Sequence, residues 1–101
     1  MNEFSFLDAA AGGMTAERTM LDIAARNVAA AQAATPGHPY ERLVARIVDG
    51  DGTVAVRRET GSGDPLTELI AVLDAQRSYE MNASFFDTGK RLAERTLDIE
   101  R

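Results

Sequence analysis

From Pro65 to Arg101 the apolar and polar positions separate at a helical period. Ala71, Ser78, Phe85, Leu92 and Ile99 fall on one line of a seven-residue repeat. Val72, Tyr79, Phe86 and Ala93 flank it on one side, and Ala75, Asn82, Gly89 and Thr96 on the other. The opposite side holds Asp74, Arg77, Glu80, Asp87, Arg91, Glu94, Arg95 and Asp98. One dry face and one wet face at this period predict a single long amphipathic helix over 65–101. Asp64 followed by Pro65 reads as its N-cap and first-turn pair, with Glu68 adding charge to the first turn. The central line of the dry face is small at Ala75 and Gly89, which lets a second helix come close.

A second helical pattern covers 4–34. Leu7, Met14, Leu21 and Val28 recur at seven-residue intervals, with Ala10, Ala24 and Ala31 on one flank and Ala9, Ala16, Ile23 and Ala30 on another. Asp8, Thr15, Thr19, Asp22 and Arg26 hold the far side. The dry arc is wide and alanine-rich, so it favours helix and close packing but buries little area by itself. Gly12-Gly13 reads as a weak point where this helix frays or bends. It must stop before Thr35-Pro36-Gly37-His38-Pro39.

The period then changes. Within 40–60, LVARIV and TVAVR are rich in β-branched residues, and Asp49-Gly50-Asp51-Gly52 lies between them. This predicts a β-hairpin. If Asp49 faces Gly52, Ile47 faces Val54 and Ala45 faces Val56, and these four share a face with Leu43. Gly61-Ser62-Gly63-Asp64 reads as a flexible linker over 61–64. The expected fold is mainly α: one domain over 1–101, two long antiparallel helices in a coiled-coil-like hairpin, and a small β-hairpin between them in sequence. The simplest packing puts the β-element at one end. The dry stripes are wider than one partner helix covers, which predicts assembly with other subunits.

Composition narrows the function. The chain has no cysteine, which excludes disulfides and thiolate metal sites. No run approaches the roughly 18 apolar residues of a membrane helix, so direct membrane insertion is not expected. Met1 to Gly13 lacks the basic start of a secretory signal. Net charge is −5, and neither helical segment is basic, so a nucleic-acid partner is not expected either.

Candidate chemistry is thin. His38, the single histidine, sits in a proline-glycine turn with no convergent ligand or catalytic set. Asp49-Gly-Asp51-Gly-Thr53 starts like a calcium loop, but Val54 and Thr60 stand where glycine and glutamate are needed, so turn chemistry is the better reading. Glu80, Asp87 and Glu94 share a line at intervals of about 10 Å, too far apart to act as a pair. No catalytic residue, metal site or cofactor is expected. The more informative residues are Asn27 and Asn82, polar groups on or beside dry stripes that fix register, and Tyr79, Phe85 and Phe86, large anchors suited to an interface.

The two ends together resemble the flagellar basal-body rod protein family. At the first end the resemblance is carried by Leu7-Asp8, Gly13-Met14-Thr15-Ala16, the run from Leu21 to Ala29 with Asn27 inside it, Thr35, and Tyr40-Glu41-Arg42. At the second it is carried by Glu68-Leu69-Ile70 and the run from Ala75 to Ala83, followed by Thr88, Leu92 and Leu97. It spans 5–42 and 66–98. The short middle is similar to the proximal-rod type. The sequence departs from the family at Ala30, where a second asparagine is usual, and in a proline-asparagine stretch reduced to Gly63-Asp64-Pro65.

The resemblance implies a structural subunit of the bacterial flagellar rod, not an enzyme. Such a subunit assembles with copies of itself and other rod proteins into an axial tube that acts as a drive shaft. The flagellar export apparatus delivers it without a cleaved signal, and its place is the basal body, in the rod that spans the periplasm. The expected assembly contacts are Leu7, Met14, Leu21, Asn27 and Val28 on the first helix, with Tyr40 after it. On the second they are Leu69, Val72, Tyr79, Asn82, Phe85, Phe86 and Leu92. The residues alone also allow a small soluble helical-hairpin adaptor or regulator that dimerises and binds one protein partner.

Overall fold

A computed structural model describes residues 3–61 and 64–100. Ser62 and Gly63 of the expected linker lie outside them. The element order is α1 (Glu3–Ala33), β1 (Glu41–Ile47), β2 (Val54–Thr60) and α2 (Pro65–Glu100). The two helices pack antiparallel along most of their length, with Phe6 and Leu7 against Gly89 and Gly13 against Asn82. The result is a rod, 67 × 21 × 13 Å. Its radius of gyration is 17.7 Å, against about 13 Å for a compact chain of this size.

The helix seam follows the small lines of the heptad pattern. Ala75, Gly89 and Ala93 are buried on α2, and Ala10, Ala16, Ile23, Ala24 and Ala31 on α1. At Gly89 a Cβ would run into the Phe6 ring, so the bare backbone is what admits that aromatic. Asp64 caps α2 as its sequence position predicts. Its Oδ1 accepts hydrogen bonds from the Thr67 amide at 2.8 Å and the Thr67 hydroxyl at 3.0 Å. Both bonds hold the Asp64 carboxyl below the usual carboxylate range. A depressed carboxyl adds stability above its unfolded pKa, and that part is lost as pH falls through the lower folded value.

The β-hairpin has the register read from the turn. Ala45 pairs with Val56 and Ile47 with Val54 in an antiparallel ladder from Glu41↔Thr60 onward. The Val48 amide donates to the Thr53 carbonyl at 3.1 Å and closes it. Both aspartates of the turn are committed to turn bonds. Asp49 Oδ1 accepts from the Gly50 amide, and Asp51 Oδ1 from the amide and hydroxyl of Thr53 at 2.9 and 2.6 Å.

The hairpin's position differs from the simplest packing. It folds back along α1 instead of capping one end. Leu43 lies against Asn27, and the turn lies against Gly12 and Thr15. The lengths match: fifteen residues of helix and a seven-residue strand each span about 23 Å. This also corrects the reading of Gly12-Gly13. α1 runs through both without interruption. They are places of close approach, Gly12 to the Gly50 carbonyl and Gly13 to the Asn82 side chain. Gly52 completes the contact with φ +99° and no Cβ to strike Thr15. A helix-interior Gly→Ala change ordinarily stabilises by about 1 kcal/mol. Gly12→Ala should instead destabilise by about 1–2 kcal/mol, because the obstacle is backbone and the turn must lift. Gly50→Ala, whose Cβ would meet nothing, is the matched control, and urea unfolding of the two variants checks the difference.

Candidate assembly interface

Two polar clusters fix how the elements sit. The first is built on Asn27, which is 3% exposed. Its Nδ2 donates to the Leu43 carbonyl at 2.8 Å, and its Oδ1 accepts from the Leu43 amide at 2.7 Å. The side-chain amide occupies the place of a neighbouring strand at one residue of β1. Asn27 does fix a register, but between α1 and β1.

The second cluster was not visible as a cluster in the sequence. Glu68 is 2% exposed at the start of α2. Its Oε1 accepts from Arg42 Nε at 2.9 Å and from the Tyr40 hydroxyl at 3.0 Å, and its Oε2 accepts from Arg42 Nη2 at 3.4 Å. Arg42 Nη1 also reaches Glu59 Oε1 at 2.7 Å, and Arg57 holds the other Glu59 oxygen at 2.9 Å. Arg42 first, then Arg57, keep the Glu59 carboxyl below its usual range, and Glu68 first, then Glu59, raise Arg42. The Tyr40 ring lies over Gly61, where a Cβ would collide with it. Glu68 is therefore the carboxylate that locks β1, β2 and the α2 start together, not simply first-turn charge. The missed signal was its position seven residues before Ala75, which puts a charge on the otherwise small, dry line.

The remaining expected contact residues divide by exposure. Leu7, Met14, Leu21 and Val28 are half-buried along the flanks of the seam on α1. On α2, Val72, Tyr79, Asn82 and Phe86 are half-buried, while Leu69, Phe85 and Leu92 are exposed. Tyr79 and Phe86 line one groove between the helices with Ala11, Met14, Thr15 and Arg18. Arg18 Nη2 donates to the Tyr79 hydroxyl at 3.4 Å, and its guanidinium lies 6.0 Å from the ring centre. Phe85 lines another groove with Phe6, Ala9, Ala10 and Asn82. A groove floored by alanine and walled by phenylalanine can take an apolar side chain from a neighbour. It presents no convergent set of groups for catalysis.

His38 is exposed in the proline turn, its amide donating to the Thr35 carbonyl at 2.9 Å. Among the described residues no group of His, Asp and Glu is placed to hold a metal ion. Among them, too, no helix is long and apolar enough to cross a membrane.

Comparison with known sequences connects this geometry to a family. Residues 60–99 match the family described as "Flagellar basal body rod FlgEFG protein C-terminal". The match covers almost all of α2 and stops short of α1 and β1. No curated protein and no solved structure matches the chain significantly. Residues 60–99, almost all of α2 and the residues leading into it, are thus similar to the C-terminal region of flagellar basal-body rod proteins.

Proposed function

We propose that the chain is a rod subunit of the proximal type. It assembles with copies of itself and with other rod proteins into an axial tube, through the faces of α1 and α2 that the monomer leaves uncovered. The observation that carries this reading is the exposed apolar surface of α2. Leu66, Leu69, Ile70, Leu73, Met81, Phe85, Leu92, Leu97 and Ile99 are all exposed on one 36-residue helix. A monomer rarely leaves so many large apolar side chains of one helix uncovered, and partners normally bury such surface. Half-buried Leu7, Met14, Leu21, Val28, Val72, Tyr79 and Phe86 form the edges that a neighbour would complete. Delivery by the flagellar export apparatus, in unfolded form, goes with this role. The shallow, alanine-based core supports it, since among the described residues no large side chain is fully buried and little must be unpacked.

The alternative is a helical-hairpin adaptor that closes into a small dimer. It would cover the same stripes with a two-fold contact, whereas a rod needs a contact that repeats without closing. Purified basal bodies separate the two. An epitope-tagged chain should sediment with them in the rod fraction, and Phe85→Asp should reduce that amount at least about tenfold while leaving the helical content of the free chain unchanged. An anchor at the centre of an interface is worth about 2 kcal/mol or more. A chain that stays in the soluble fraction as a closed dimer contradicts the rod assignment.

A further inference from the structure

We draw no further inference here: the strongest candidate, the groove where α1, β1 and α2 meet and the carboxylates of Glu17 and Asp74 stand beside Ala24, Ala71 and Ala75, carries nothing, because nothing in the structure shows what covers it.

Discussion

Replacing Glu68 with alanine should destabilise the folded chain by about 2–3 kcal/mol and lower its melting temperature by about 10–15 °C. The change removes a buried carboxylate that three donor groups address: the Nε and Nη2 of Arg42 and the hydroxyl of Tyr40. Removing one member of a fully buried ion pair typically costs about 3–5 kcal/mol. The lower value follows because the Arg42 side chain is partly exposed and keeps Glu59. Glu68→Gln keeps an acceptor for Tyr40 but loses the charge, and should fall between alanine and the parent. Thermal unfolding followed at the helix band measures both. An alanine variant within about 0.5 kcal/mol of the parent would mean that the buried pair is replaceable by packing alone. Acid acts on the neighbouring Glu59. Its carboxyl is held below the usual range, so its contribution is present above the unfolded value and disappears as pH falls through the folded one.

Asn27→Ala should have an effect of similar size, about 2–3 kcal/mol, through a different mechanism. It leaves the amide and the carbonyl of Leu43 without their partner, and each unsatisfied group costs about 1–3 kcal/mol when buried. Water reaches part of the strand, which keeps the cost of each group near the lower end of that range. Loss of structure should be local: amides of β1 exchange faster while the α2 amides near Gly89 are unchanged. Asn27→Asp can still accept from the Leu43 amide but cannot donate to its carbonyl, so it should retain part of the stability. Leu43 follows Arg42 directly, so the Asn27 and Glu68 clusters hold adjacent residues of β1. The double variant should therefore lose less than the two single losses combined, because either one alone already frees the strand.

The sequence pattern made both helices legible, together with the small-residue seam, the N-cap and the hairpin register. Each of these follows from local period or turn chemistry. Ala75 and Gly89 had to face inward because no other line on α2 is small enough for close approach. Where the hairpin lies was not legible. Period says which face is dry, but not which element covers it. Gly12 could be a weakness or a landing site, and only the Gly50 carbonyl beside it decides. Asn27 stood out as a polar residue on an apolar face, but its partner is a backbone group sixteen residues away, and backbone groups carry no sequence signature. Glu68 was hidden by a plausible local role, since a carboxylate in a first helical turn needs no further explanation. Its place on the Ala75, Asn82 and Gly89 line was the available warning.

The same features divide the rod into unequal halves. Around Asn27 and Glu68, α1 packs on both α2 and β1, and β2 joins through β1 and the Arg42 bridge to Glu59. Beyond Gly12 and Phe85, toward the far end of the rod, the two helices face each other, with Phe6 and Leu7 seated on Gly89 between small residues. The half with fewer buried contacts is the one that needs neighbours to stay ordered.

Amide hydrogen exchange on the free chain and on its assembled form tests this account most directly, with the mass in solution measured alongside. The account predicts a free monomer in which residues 4–11 and 85–99 exchange fast, 23–31 and 41–60 exchange more slowly, and the first set becomes protected only in the assembly or with rod proteins. Slow exchange along both helices in a closed dimer that ignores rod proteins would contradict it.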